Sequence, residues 1–257
     1  MTPVIVLCYH ALSPTWEADL STTPKRFERQ IALLVARGYR GVTFSAAVES
    51  AARSERDRVV AVTFDDAYRS VLELARPVLD RYGFPATVFV PTDYVDASEP
   101  PRWPGIDHWY GGPHEGELVP MSWPELRSLA DLGWEIGSHS GSHPHLTQLD
   151  DARLEDELVR SKASCEHHLE GSCISLAYPY GDVNPRVVAA VARAGYNTAA
   201  ALPQRLHAPE PLAWPRIGIY RADGALRFRL KISPALIALR RSRAWDWLGA
   251  VRGMLRG

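Results

Sequence analysis

The chain reads as an α/β protein built on a buried parallel sheet, and three observations predict it. Short apolar runs without in–out alternation recur along the sequence, as expected of strands covered on both faces. Segments of helical period separate them, opened by residues such as Thr23 and Ser122 and closed by glycines such as Gly38 and Gly83. No G-x-G-x-x-G or P-loop follows any of the runs, so a nucleotide-binding version of the sheet has no positive support. Strand–helix alternation of this kind fits a barrel or a doubly wound sheet.

In chain order, residues 4–8 form the first predicted strand. A helix then opens at Thr23, a capping residue, and Pro24, which suits a first turn; Phe27, Ile31 and Leu34 share one face, and Gly38 ends it. Residues 59–64 are a β-branched strand, followed by a helix over 68–82 that Gly83 stops. Strands over 86–90, 134–136 and 174–178 alternate with helices over 122–132, 150–169 and 185–194. Residues 197–201 and 217–220 carry weaker strand patterns. Two segments break the alternation. Residues 93–120 are rich in Pro, Gly and aromatics, and a loop of that length is usually functional or mobile. From Arg227 onward there are seven Arg and one Lys against a single acid, Asp246.

Composition narrows the function. A chain of 257 residues, 46% of them hydrophobic, can bury one large core or two small ones. A formal net charge of −1 argues against nucleic acid as a partner. Cys8, Cys165 and Cys173 are too few, and too oddly spaced, for a disulfide framework or a zinc ribbon. The opening residues lack a basic leader and a cleavage site, and no apolar run approaches the ~20 residues that span a bilayer. The expectation is a cytoplasmic protein.

Chemistry concentrates in two places. Asp65 and Asp66 directly follow the 59–64 strand; adjacent carboxylates repel unless a cation relieves them, although a helix cap is a second reading. His139, His143 and His145 lie just past the 134–136 strand, where Gly141 and Pro144 predict a tight loop. Two imidazoles and a carboxylate form a common three-ligand set for a catalytic metal with a position left for water. Both stretches fall at strand C-termini, where a parallel α/β barrel carries its active site.

Thr63-Phe64-Asp65-Asp66, His139-x-x-x-His143 and Pro179-Tyr180-Gly181 together resemble the first three motifs of the polysaccharide deacetylases, carbohydrate esterase family four. Tyr9-His10, Phe27-x-x-Gln30 and Gly38-Tyr39 resemble the subgroup that acts on exopolysaccharides. The resemblance covers about residues 3–220. It implies a distorted (β/α) barrel of about seven strands over residues 1–226, with residues 227–257 as a basic amphipathic extension. It further implies a divalent metal on Asp66, His139 and His143: zinc first, with cobalt, nickel or manganese also suited to such a set. Asp65 becomes the general base, the backbone N–H of Tyr180 faces the oxyanion, and the substrate is an N-acetylated glycan.

The sequence departs from the family pattern. Ala177 stands where the family has the arginine that orients the base, and the two late motifs, one of which supplies the general acid, are not recognisable. His10, at the end of the first strand, is the expected acid, and Arg216 the expected partner of Asp65. His145 reads as a supporting or surface residue, His167 and His168 as a solvated helix face. Trp103, Trp109 and Tyr110 either line a sugar subsite or pack the long loop on itself. A helix over 244–255 would set Trp245, Leu248, Val251 and Leu255 on one side between arginines. Such a helix reads as a peripheral membrane contact or as one docked on the barrel. Two rival functions keep the fold: hydrolysis of another linear or cyclic amide, and glycan binding by a relic site.

Overall fold

Every strand of the main sheet runs parallel to its neighbours in the computed structural model, which describes residues 4–53, 57–203, 205–242 and 245. The chain begins with β1 (Ile5–Tyr9) and two short strands, β2 (Ala11–Leu12) and β3 (Ser21–Thr22), that pair with each other. Helix α1 (Pro24–Ala36) starts where expected, with the Thr23 hydroxyl accepting from the Arg26 N–H. A further βα unit, β4 (Arg40–Val42) and α2 (Phe44–Ala52), was not visible in the sequence pattern: β4 has three residues and α2 is mostly Ala and Ser. Then come β5 (Val59–Phe64) and α3 (Arg76–Arg81). The helix expected over 68–82 is regular only in its second half, because residues Val71–Ala75 wind as a π-helix just before Pro77, which has no N–H to give.

The alternation continues through β6 (Thr87–Val90), α4 (Trp123–Asp131), β7 (Glu135–Ser138), α5 (Asp151–Leu169), β8 (Ser175–Ala177), α6 (Pro185–Arg193) and β9 (Thr198–Ala201). The sheet order is β10-β9-β8-β7-β6-β5-β1-β11, with β4 beside β5. Its two ends, β10 (Trp214–Pro215) and β11 (Ile217–Gly218), are separated in the chain only by Arg216. One stretch therefore pairs with β9 on one side and β1 on the other, nearly closing the sheet into a single-domain (β/α) barrel. β1, β5, β6, β7, β8, β9 and that closing stretch give seven staves.

The core has two layers. Outside the sheet, Leu7, Val62, Phe64 and Leu176 meet helix residues such as Phe27, Ile31, Leu126 and Val191. Inside, Val6, Ala61, Phe89, Ala177, Ala200 and Trp214 fill the axis. Gly137 is required there, because a Cβ would come within 2.5 Å of Ser175 Oγ and 2.7 Å of the Phe89 ring. Beyond residue 226 the chain still lies on the barrel: α7 (Ala225–Lys231) and α8 (Pro234–Arg241) bury Phe228, Ile232 and Ile237 in the outer layer. The helix expected over 244–255 lies, apart from Trp245, outside the described residues. The three cysteines are free and buried. Among the described residues no helix is long and apolar enough to cross a membrane.

Candidate active site

Strand parity decides which side chains reach the barrel axis. On β1, Leu7 and Tyr9 join the outer layer and Val6 the inner one, so Cys8 and His10 continue inward. On β5, Val62 and Phe64 face out and Ala61 faces in, so Thr63 and Asp65 follow it. Simple alternation would then turn Asp66 away. Instead its backbone enters the left-handed region at φ 67°, followed by Ala67 at 52°, and both carboxylates arrive on one side. For residues other than glycine that conformation costs roughly 1–2 kcal/mol, and aspartate tolerates it better than most.

His139 leaves β7 with its N–H bonded to the Val90 carbonyl at 2.8 Å. Its Nδ1–H donates to the Ala177 carbonyl at 2.8 Å, so the lone pair sits on Nε2, 3.6 Å from Asp66 Oδ1. The loop then doubles back through Ser140 and His143, both at positive φ (65° and 59°), with the His143 N–H on Ser140 Oγ. This brings His143 Nε2 to 3.4 Å from the same Asp66 Oδ1. That oxygen is buried and accepts no hydrogen bond. The ligand atoms of Asp66, His139 and His143 all lie within 4.8 Å of one another. A buried acceptor facing two imidazole nitrogens, with no hydrogen bond of its own, fits a divalent cation and is otherwise unfavourable.

Arg216 projects inward from the seam between β10 and β11 and grips Asp65 with both arms, Nη1 to Oδ1 at 2.6 Å and Nη2 to Oδ2 at 2.7 Å. Nη1 also donates to Thr63 Oγ1, and the Cys8 thiol donates to Asp65 Oδ2 at 3.4 Å. The pair is wholly buried. Ala177, where the family pattern has an arginine, supplies the carbonyl that orients His139, and the guanidinium on Asp65 comes instead from Arg216 at the closing seam.

The electrostatics divide the two acids. Burial works to raise Asp65, but Arg216, His139 and His10 outweigh it and hold its carboxyl well below the usual carboxylate range. Asp66 is pushed up, by burial first and by Asp65 second. Burial also lowers His139, and it lowers His143 to about 2 with help from His139. His10 is lowered to about 4, by burial first and also by Arg216, with Asp65 opposing. The histidines are therefore neutral at pH 7, the state in which imidazole ligates a metal.

A cavity of about 600 Å³ opens above this cluster, reached by His10, Asp65, Asp66, His139, His143 and Tyr180. Tyr180, at φ 59°, sets its ring between His143, 4.7 Å away edge-on, and His145, stacked at 3.9 Å. Of the long-loop aromatics, Trp103 stacks on His143 at 4.1 Å and Trp109 lines the cavity, whereas Tyr110 lies outside it under Arg102. His168 stacks on Trp123 at 4.4 Å, away from the site.

The sequence reading missed Glu157, which holds the histidine loop in place. Its Oε2 accepts from the Gly141 and Ser142 N–H groups, both at 2.8 Å, and its Oε1 from the Ser142 hydroxyl. Arg160 ties Glu157 to Asp93 of the long loop. The signal was present: Glu157 shares the buried face of α5 with Leu154, Leu158 and Ser161, an odd place for a carboxylate without a task.

Fold and cluster together define a (β/α)-barrel protein with a candidate metal-assisted hydrolytic site at the C-terminal ends of its strands. Residues 52–199 match the family model described as Polysaccharide deacetylase, and the chain belongs to that family. It is 25% identical over 194 residues to YxkH of Bacillus subtilis (strain 168), which carries a polysaccharide-deacetylase name; the match covers 75% of this chain and 62% of that one. It is also 25% identical over 161 residues to the poly-β-1,6-N-acetyl-D-glucosamine N-deacetylase of Staphylococcus aureus (strain MSSA476), covering 59% of this chain and 50% of that one. The chain thus spans about half to three-fifths of the length of these curated relatives. Among solved structures, the deacetylase PplD of Streptococcus pyogenes superposes with a TM-score of 0.74 at 22% identity, over 90% of this chain and 98% of that one. A de-N-acetylase of Aggregatibacter actinomycetemcomitans gives 0.73 at 18% identity, over 89% and 99%. At these identities the superpositions speak for the fold.

Proposed function

We propose that the protein is a metal-dependent N-deacetylase that removes the acetyl group from an N-acetylated glycan. The observation that carries this reading is the buried Asp66 Oδ1, free of hydrogen-bond donors and faced by the Nε2 atoms of His139 and His143 on the cavity floor. Those three residues would hold the cation; zinc suits the set best, and cobalt, nickel and manganese are also accepted by such ligands. A divalent cation at this place supplies a Lewis acid for the acetyl carbonyl and brings the pKa of water toward ~7.

The chain's own residues account for the remaining proton traffic. Asp65, kept ionised and aimed by Arg216, takes the proton from the attacking water. The backbone N–H of Tyr180 donates to the developing oxyanion. His10, neutral and within 4.8 Å of Asp65 on the same wall of the cavity, relays the proton that Asp65 took from water to the amine nitrogen as the C–N bond breaks, so acetate and a free amino sugar result. The bidentate Arg216–Asp65 pair favours a working site over a glycan-binding relic, since it restores from a new position the partner that Ala177 lacks. The name of the staphylococcal relative supports a β-linked N-acetylglucosamine polymer or oligomer as the substrate class.

Acetate release from short N-acetylglucosamine oligomers, with and without chelator, tests the reading in the wild type and in Asp65→Asn. Release that needs metal and vanishes in the variant is the expected result. Bound metal with no release from any N-acetylated sugar would turn the reading toward another amide.

A further inference from the structure

A second cavity, of about 250 Å³, lies away from the active-site floor, between α1 and α7. Lys25, Arg26 and Arg29 line it on one side and Gly224 and Phe228 on the other. Helix α7 buries Phe228 completely, and by helical geometry its opposite face turns to solvent. That face carries Leu226, 72% exposed, and Leu230, 52% exposed, one turn apart. Leu226 is the most exposed large hydrophobic among the described residues. Two neighbouring leucines held in water on a seven-residue helix are an unsatisfied apolar edge.

Cations surround this edge. Lys25 and Arg29 on α1 and Arg229 on α7 are exposed and pair with no carboxylate among the described residues. No acidic residue occurs between Asp223 and Asp246, and Asp223 itself is buried against Arg227 and Lys231. A globular partner would more often meet an apolar core with few lysines. Leucines ringed by unpaired Lys and Arg match instead the headgroup boundary of an anionic bilayer, where the apolar tips enter and the cations meet phosphate. The contact expected from the sequence lay in residues 244–255; the same chemistry is present within the described part of the fold.

We propose that the α1–α7 face docks on an anionic membrane surface, with Leu226 and Leu230 entering the headgroup region and the Lys25–Arg29 cleft taking a lipid phosphate. The placement has a consequence for the active site. Tyr220 lines the main cavity and Gly224 the basic cleft, so docking brings the rim of the catalytic cavity close to the bilayer. Glycans near a membrane surface become the accessible substrates. Docking itself does not depend on the deacetylase reading, and its test reads binding without catalysis.

The 257-residue chain is sedimented with phosphatidylcholine vesicles and with vesicles carrying about 30% phosphatidylglycerol. The wild type is expected in the pellet with the anionic vesicles only, and less so as salt shortens the screening length. Lys25→Ala with Arg29→Ala should weaken the partition about 25-fold, near fivefold per cation. Leu226→Ser with Leu230→Ser should weaken it about tenfold or more. Both pairs are exposed, and an unchanged far-UV spectrum shows that the variants fold. A wild type that stays in the supernatant overturns the proposal. So does a leucine variant that binds like the wild type while the charge variant does not, since that pattern describes a site for a soluble polyanion.

Discussion

Replacing Arg216 by methionine removes the counter-charge of Asp65 while keeping most of the side chain's volume. Arg216 is fully buried and Asp65 is 3% exposed, so neither can recover its partner from water. Breaking a buried pair from one side costs roughly 3–5 kcal/mol, because a buried charge is left uncompensated. Thr63 Oγ1 loses a donor as well, for about 1 kcal/mol. For a chain of this size each kcal/mol moves the melting temperature by roughly 2–4 °C, so the metal-free variant should melt about 8–24 °C lower at pH 7. Asp65→Asn alone should also destabilise, by stranding the guanidinium. The double variant should lose clearly less than the sum of the two, since an apolar replacement of an ion pair is often near neutral.

The pH dependence carries a sign. In the wild type the folded-state pKa of Asp65 lies below its unfolded value, so its contribution is present above the unfolded value and is lost as pH falls. Without Arg216, burial dominates, the folded pKa rises above the unfolded one, and stability falls as pH rises. The deficit of the methionine variant should therefore narrow from pH 7 toward pH 4. Differential scanning calorimetry on the four proteins measures all of this. A loss under ~1 kcal/mol, or strict additivity in the double variant, would refute the pairing argument.

Three further outcomes are expected. Glu157→Gln weakens three hydrogen bonds that fix the histidine loop, so metal content by elemental analysis and kcat should both drop, the latter about 10–100-fold; unchanged values would relieve Glu157 of any positioning role. His10→Ala should keep its metal but lose about 10²–10⁴-fold in kcat, and full activity would remove His10 from the proton traffic. In the metal-free protein Asp66 is raised and the histidines are lowered, so cation binding at pH 7 should release at most about one proton, from Asp66 and none from imidazole. The affinity then rises with pH; calorimetry in buffers of different ionisation enthalpy counts the proton, and release of two contradicts the charge assignment.

The parts of this protein that local chemistry specifies were legible in the chain. Buried β-branched runs such as 59–64 cannot alternate because both faces are covered, and Thr23, Ser122 and Gly38 cap their helices by side-chain or backbone chemistry within a few residues. Asp65-Asp66 at a strand end and His139 and His143 around Gly141 announced a charged, looped site by residue type and spacing alone. The unit β4–α2 escaped notice because three residues and an alanine-rich helix leave too little periodicity, and β10 because Pro215 disguises a strand.

What only the tertiary structure decided is which distant groups meet. The delivery of Asp66 to the same side as Asp65 depends on two left-handed residues that no side-chain pattern reveals. The Arg216–Asp65 pair depends on the closing stretch pairing with β9 and β1 in one register; a slip of a single residue would point Arg216 at the helices. Glu157 reaches the histidine loop only because α5 lies against β7. A sequence records the propensities of neighbours along the chain, but a buried charge finds its partner through strand register and helix packing, and both are settled only when the barrel closes.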